Sequence, residues 1–274
     1  MNISEGTVRA VASIRRAMPA PLKSALQPAW SWSRDLRFRL RYGFPPPPPG
    51  TDLVGYEALI DFFRSRDLSS VSGDIVEIGA FRGGGTYKLA KFLQKKGLQK
   101  KVYTIDCFDI QFDQTQNSDG RIMAQIYQAI LKDNSQRQVF DQVTAGLPNI
   151  VVIEGDSKEI ELPAEAVCFG FIDGNHSDEY VMNDFCLVWE KLSPGGVIAF
   201  HDYGDDLPNV TAMIDMLCIR HSAAIAQIHV DANRHVIYLR KAKPKLKSTG
   251  ADRRVSAHIR TSEEADQLDR SPLS

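Results

Sequence analysis

Two apolar runs that we interpret as buried strands each end in residues able to bind a metal or move a proton. The segments FIDGNHSDEY and FHDY place Asp173, His176, His201 and Asp202 at these ends. Because the carboxyl ends of parallel strands share one edge of a sheet, the side chains are expected to converge there. Two carboxylates and an imidazole suit an octahedral Mg²⁺ that keeps waters for a substrate to displace. We therefore predict a metal site formed by Asp173, His201 and Asp202.

A hydroxyl group held by such an ion loses its proton more easily, so a nearby base would complete the chemistry. We predict that His176 is this general base and that Asp173 is catalytic beside it. A structural interpretation is that Asp173 caps a turn, while the histidines bond to backbone or order the following loop. Strand-end carboxylates beside a ligand crevice have no packing role, which favours function for the aspartates. For the histidines both interpretations stay open.

A glycine-rich turn, VEIGAFRGGGT, follows an earlier apolar run. A phosphate-binding P-loop is disfavoured because Gly85 stands where that motif needs lysine. A dinucleotide turn is disfavoured because Phe81 occupies the place of its second glycine. What remains is E-x-G-x-x-x-G, formed by Glu77, Gly79 and Gly83, which lets backbone approach a ligand closely without demanding phosphates.

Two more strand ends carry acidic residues. Asp106 closes VYTIDCF, where its carboxylate can accept both hydroxyls of a ribose, at about 1.5 to 3 kcal/mol for a charged hydrogen bond. Gly155 and Asp156 in IEGDS are positioned to border an adenine ring. Three such pieces at successive strand ends predict a nucleoside ligand at the switch point of the sheet.

The elements that must position these residues alternate along the chain. We predict strands at residues 74–80, 101–108, 150–156, 166–174, 196–203, 224–230 and 235–240, and helices at 86–96, 121–132, 178–192 and 209–221. Such alternation is typical of βαβ units in a doubly wound parallel sheet. The last two strands are too close for a crossover helix, so they are expected to pair as an antiparallel hairpin.

Together these motifs resemble the class I S-adenosylmethionine-dependent methyltransferases, and in particular the macrocin and mycinamicin O-methyltransferase type. The likeness covers about residues 54–240, and its most specific part is IDGxH followed by GG and HDY. It implies an α/β fold with a doubly wound, seven-stranded, mostly parallel Rossmann-like sheet that ends in an antiparallel hairpin.

The same resemblance implies roles for individual residues. Glu77 and Gly79 would lie near the methionine portion of S-adenosylmethionine, Asp106 would hold the ribose, and Asp156 with Ser157 would flank the adenine.

The resemblance also implies a reaction. We expect O-methylation of a small-molecule acceptor, such as the hydroxyl of a sugar or a secondary metabolite, with assistance from Mg²⁺. Several characterised relatives carry an acidic residue where His201 stands here and another where Asn175 stands. The alternative is a non-catalytic module that binds the nucleoside cofactor within an assembly. A hydroxylase is disfavoured, since no 2-His-1-carboxylate triad occurs at suitable spacing.

Three segments are expected. Residues 1–50 form a basic, aromatic extension ending in a proline run, 51–241 form the methyltransferase domain, and 242–274 form a disordered tail. The extension is expected to be a helical arm that packs on its own domain or on a second copy of the chain, giving a homo-oligomer. A membrane-surface helix is the alternative.

Composition limits the remaining functions. The formal net charge is -1 over 274 residues, so no nucleic-acid partner is expected. Four scattered cysteines without a CxxC pair favour reduced thiols and a cytoplasmic location. The chain shows neither a secretory signal nor an apolar run long enough for a transmembrane segment.

Overall fold

The computed structural model describes residues 19–55 and 57–244 and contains one seven-stranded sheet. Its strands are β1 Asp74–Ile78, β2 Val102–Asp106, β3 Ile150–Glu154, β4 Val167–Ile172, β5 Leu192–Phe200, β6 Ile225–Asp231 and β7 Val236–Lys241, in the order β3-β2-β1-β4-β5-β7-β6. Strands β1 to β5 are parallel, and β7 pairs antiparallel with both β5 and β6. The predicted fold class is confirmed.

Helices cover both faces of the sheet. They are α1 Ala20–Tyr42, α2 Ala58–Ser65, α3 Gly84–Lys95, α4 Met123–Leu131, α5 Gln136–Thr144, α6 Asp178–Lys191 and α7 Pro208–Arg220. Side chains alternate along each strand, so Ile75 packs in the cluster with α2 and α3, whereas Val76 packs in the cluster with α6 and α7. Every residue of the central strand β4 is buried, which explains its continuous apolar sequence.

Two local predictions differ from the structure. Helix α5 was not predicted, because its sequence QRQVFDQVT is mostly polar; Ser135 caps it by accepting the N–H of Gln138. Strand β5 begins at Leu192 rather than at 196, so the Ser-Pro-Gly-Gly segment lies inside the strand. Leu192 pairs with Val167, and an irregular register then separates it from the regular ladder.

The end of α1 packs into the core of the domain. Phe38, Tyr42 and Phe44 precede the proline run and are buried in the same cluster as Leu59, and the Tyr42 hydroxyl donates to Asp61 at 2.7 Å. Burial of these aromatic side chains ties the arm to its own domain.

The opposite face of α1 exposes Trp32, Leu36 and Leu40. Contact of this face with a second copy of the chain remains a prediction. Residues 1–18 and the predicted tail from 245 onward lie outside the described residues. Among the helices of the described segments, none combines the length and apolar character needed to cross a bilayer.

Candidate active site

A cavity opens at the carboxyl ends of the parallel strands, as the strand order predicts. Its volume is about 1000 Å³ when the space at its open mouth is included. Much of the wall is apolar, with Ile78, Ile105, Phe81 and Tyr127 among its members. Its polar side chains include Asp106, Asp113, Gln136, Ser157, Asp173, Asp184, His201 and Asp202. Polar groups set within an apolar wall are what orients a bound small molecule.

Gly79 joins the tips of the central strands. Its N–H donates to the carbonyl oxygen of Ile105 at 2.9 Å, and its φ of 83° lies in the left-handed region. A Cβ at this position would lie 2.0 Å from the carbonyl oxygen of Asp173, so only glycine fits. Because β1 pairs with β2 and Gly79 and Asp106 both line the cavity, their predicted proximity is confirmed.

The Asp106 carboxylate organises the glycine turn. It accepts the N–H groups of Ala80 at 2.8 Å, Phe81 at 2.9 Å and Phe108 at 2.7 Å, and the Gln136 amide reaches both oxygens at 3.1 and 3.2 Å. Burial raises the pKa of Asp106, against the effect of these hydrogen bonds. Gln136 is the side-chain donor of the set, so a ligand hydroxyl can replace it without moving the backbone.

Glu77 and Gly83 lie behind the cavity wall rather than on it. Glu77 is 2% exposed, accepts a hydrogen bond from the Thr86 hydroxyl, and has a pKa raised to about 8 by burial, against the effects of Thr86 and Lys88. Gly83 is the N-cap residue of α3, and a Cβ there would lie 2.9 Å from the Phe140 ring. In this structure both residues support the turn from behind.

The end of β3 contributes Gly155 and Ser157 to the wall, but not Asp156. The Asp156 carboxylate accepts the Tyr180 hydroxyl at 2.7 Å and the N–H of Lys158 at 2.8 Å. The predicted cofactor residues therefore divide into two groups. Gly79, Asp106 and Ser157 face the cavity, whereas Glu77, Gly83 and Asp156 hold neighbouring backbone or side chains.

The three predicted metal ligands converge. One donor atom each from Asp173, His201 and Asp202 lies within 4.8 Å of the others, and all three residues line the cavity. The His201 Nδ1 atom is 3.2 Å from Asp173 Oδ1 and 3.0 Å from Asp202 Oδ1. Burial alone would lower the pKa of His201, but the two carboxylates raise it to about 11. A divalent cation would replace the proton of His201, and two carboxylate oxygens and an imidazole nitrogen this close together fit such an ion.

His176 does not reach the cavity wall. It is 4% exposed, and its Nδ1 and Nε2 atoms lie 2.6 Å from Asp113 Oδ2 and 2.7 Å from Asp202 Oδ2. Burial would lower its pKa, but hydrogen bonds and charge from the two carboxylates raise it to about 10. Both ring nitrogens then carry protons, so this arrangement leaves no lone pair for the general base that the sequence predicts.

Asp113, which sequence analysis did not identify, comes from the loop after β2. Burial opposes its ionisation, but the hydrogen bond and charge of His176 lower the pKa of Asp113. The loop is fixed further by Asn175, which donates to the Phe112 carbonyl at 3.0 Å, and by Asn117, which donates to Asp206 at 2.7 Å. The loop therefore forms a bonded wall over the site.

Comparisons with known proteins agree with this geometry. Residues 76–203 match the family model of a methyltransferase domain. The O-methyltransferase NovP is similar in structure, with a TM-score of 0.58 and 18% identity over 70% of this chain and 83% of that one. A putative caffeoyl-CoA O-methyltransferase from Staphylococcus aureus has a TM-score of 0.50 and 12% identity, covering 87% of this chain and 100% of the other.

A third similar structure is CalS11, a TDP-rhamnose 3'-O-methyltransferase, with a TM-score of 0.48 and 17% identity over 88% of this chain and 96% of that one. No curated protein sequence matches the chain. The family match and the strand order, with its terminal antiparallel hairpin, define a class I S-adenosylmethionine-dependent methyltransferase domain. The resemblance of the sequence to this class is confirmed.

Proposed function

We propose that this protein transfers a methyl group from S-adenosylmethionine to a hydroxyl oxygen of a small molecule, such as a sugar or a secondary metabolite, with assistance from Mg²⁺. The observation that carries the proposal is the shared cavity. The turn of Gly79 and Asp106 lines it, and so does the cluster of Asp173, His201 and Asp202. A cofactor and an acceptor bound there would be neighbours.

Each wall of the cavity has its own task. On the cofactor side, Gly79 brings backbone close to the ligand and Asp106 accepts the ribose hydroxyls in place of Gln136. On the acceptor side, Asp173, His201 and Asp202 would hold Mg²⁺. When bound, the ion supplies a positive charge that lowers the pKa of the acceptor hydroxyl.

Asp173 is the residue that we expect to contact the acceptor hydroxyl. It lies on the wall, whereas both nitrogens of His176 are bonded to carboxylates. We assign the Asp173 oxygen that would not hold the ion to orient the hydroxyl and receive its proton, while residues 109–113 exclude water. The sulfonium is an activated donor, so alignment and proton removal are the main contributions of the protein.

The test combines binding and turnover. S-Adenosylhomocysteine is titrated by calorimetry with and without Mg²⁺, and hydroxylated acceptors are then screened for methylation. The Asp173→Asn and Asp202→Asn variants are expected to bind S-adenosylhomocysteine but to lose transfer by at least a hundredfold. Asp205→Asn, at an exposed aspartate on the same loop, is the matched control.

Three results would contradict the proposal. Absence of S-adenosylhomocysteine binding would remove the cofactor site. Full transfer by the Asp173→Asn variant would remove the assignment of the acceptor side. Cofactor binding without transfer to any hydroxyl would favour the non-catalytic module instead.

A further inference from the structure

Helix α4 turns one apolar face toward the cavity. Met123, Ile126, Tyr127 and Ile130 all line the cavity, and they stand at the i, i+3, i+4 and i+7 positions, so they form a single stripe. These four side chains are half-buried, whereas Gln125 on the outer face of the helix is exposed. We call these four residues the α4 stripe. Because it borders a cavity, a ligand with an apolar surface can bury it and be held there.

The position of Tyr127 shows which part of the cavity the α4 stripe borders. Its ring packs on Phe81 of the glycine turn, with the ring centroids 5.3 Å apart. Burial raises the pKa of Tyr127, and the charge that raises it most is that of Asp173. At the start of α4, the Ala124 N–H donates to the Asp113 carbonyl at 3.0 Å. The stripe therefore lies between the glycine turn and the predicted metal ligands, where the acceptor of the proposed reaction would bind.

The polar part of the cavity wall is acidic. Six of the described lining residues are aspartates. Lys158 and Arg137 come directly after lining residues, but they are ion-paired with Glu179 and Glu154. A divalent cation and a positively charged sulfonium suit such a wall, whereas a phosphate or carboxylate on the acceptor would meet charge of its own sign.

We propose that the acceptor is an uncharged hydroxyl compound with an apolar body that packs on the α4 stripe, and that acceptors carrying phosphate, sulfonate or carboxylate are excluded. The inference rests on the proposed function, whose acceptor class it narrows. It makes α4 the element that determines the acceptor, separately from the residues assigned to the cofactor and the ion.

The test compares two probes with the same rings and hydroxyl, 2-naphthol and 2-naphthol-6-sulfonate. Each is titrated by fluorescence into the full chain with Mg²⁺, with and without S-adenosylhomocysteine. The wild-type protein is expected to bind 2-naphthol at least tenfold more tightly than the sulfonate. Ile126→Lys, which places a cation on the α4 stripe, is expected to bind the sulfonate more tightly instead. Gln125→Lys is the matched control, because it adds the same charge at the neighbouring, exposed position and should keep the wild-type preference.

The outcomes separate this inference from the proposed function. If S-adenosylhomocysteine fails to bind, the proposed function is contradicted, and the comparison of the two probes still decides the inference. Equal binding of the probes by the wild-type protein, or no binding of 2-naphthol, would overturn the inference even if the cofactor site is intact. This comparison needs no variant to fold. A folded Ile126→Lys protein with the wild-type preference would show that the acceptor does not lie on α4.

Discussion

His176 joins Asp113 to Asp202 through its two ring nitrogens, with Nδ1 2.6 Å from Asp113 Oδ2 and Nε2 2.7 Å from Asp202 Oδ2. Asp113 belongs to the loop after β2 and Asp202 follows β5, and both residues line the cavity. An imidazolium between two carboxylates satisfies all three buried groups at once. His176 therefore fixes the loop against a predicted metal ligand, which makes it a positioning residue.

Replacing His176 with asparagine should destabilise the fold. The change leaves Asp113 and Asp202 without the charge that pairs them, and breaking a buried ion pair costs about 3 to 5 kcal/mol. Urea unfolding followed by circular dichroism measures the decrease in the free energy of unfolding. Limited proteolysis within residues 109–121 should also become faster. His229→Ala, at an exposed histidine, should change the free energy of unfolding by less than about 0.5 kcal/mol. An asparagine variant with wild-type stability and protection but no transfer would restore the general-base role.

Gly79→Ala tests the contact between the tips of β1 and β4. The added Cβ would lie 2.0 Å from the Asp173 carbonyl oxygen, at a φ of 83°. Gly146→Ala is the matched control, because Gly146 has a φ of 73° with nothing within 4 Å of the added atom. The Gly146→Ala control should lose about 1 to 2 kcal/mol of stability from backbone strain alone. Gly79→Ala should lose about 1 to 3 kcal/mol more, because its Cβ also overpacks the site.

The clash should also move the Asp173 wall, so Gly79→Ala is expected to bind S-adenosylhomocysteine at least tenfold more weakly. Calorimetry on both variants measures this effect. Equal affinities of the Gly79→Ala and Gly146→Ala proteins would show that the cofactor does not depend on this turn.

The strands could be predicted from sequence because each parallel strand is an apolar run bounded by glycine or acidic residues, as at Gly79 and Asp106. Helix α5 was missed because only three of its nine residues, Val139, Phe140 and Val143, are apolar, and three positions are too few to establish a helical period. Gln136, which contacts Asp106 from the start of this helix, was missed with it.

Contacts between distant segments could not be predicted from the sequence either. Asp113 and His176 are 63 residues apart, and no spacing rule connects them. Asp184 did carry a signal. It stands at the i+3 position from Val181 and next to Phe185, on the face of α6 where the other residues are buried. A charged residue at an apolar position of a helix indicates a buried polar contact.

Glu77 should make the stability of the protein depend on pH. Its ordinary pKa of 4.5 is raised to about 8 in the folded state, so the folded protein holds a proton that the unfolded chain releases. The resulting stabilisation is complete below pH 4.5 and is lost as pH rises through 8.

The slope expected from Glu77 is up to about 1.4 kcal/mol per pH unit within that window. Urea unfolding of the wild type and of Glu77→Gln at pH 5, 6 and 7 separates this slope from the effects of other groups, because the glutamine side chain does not titrate. The stability difference between the two proteins should shift toward the variant as pH rises. Parallel pH profiles for the two proteins would show that the Glu77 carboxyl does not retain its proton.

Asp106→Asn tests the anchor of the proposed ribose site. The carboxylate accepts backbone N–H groups from Ala80, Phe81 and Phe108, and an amide nitrogen in its place would face donors instead of accepting from them. Loss of hydrogen bonds to a charged acceptor, about 1.5 to 3 kcal/mol each, predicts a ten- to hundredfold weaker binding of S-adenosylhomocysteine by calorimetry. Asp119→Asn is the control, since the Asp119 side chain is 71% exposed and should leave the affinity unchanged. A wild-type dissociation constant for a folded Asp106→Asn protein would remove Asp106 from the cofactor site, because a buried carboxylate that holds both the turn and the ribose cannot lose its charge without effect.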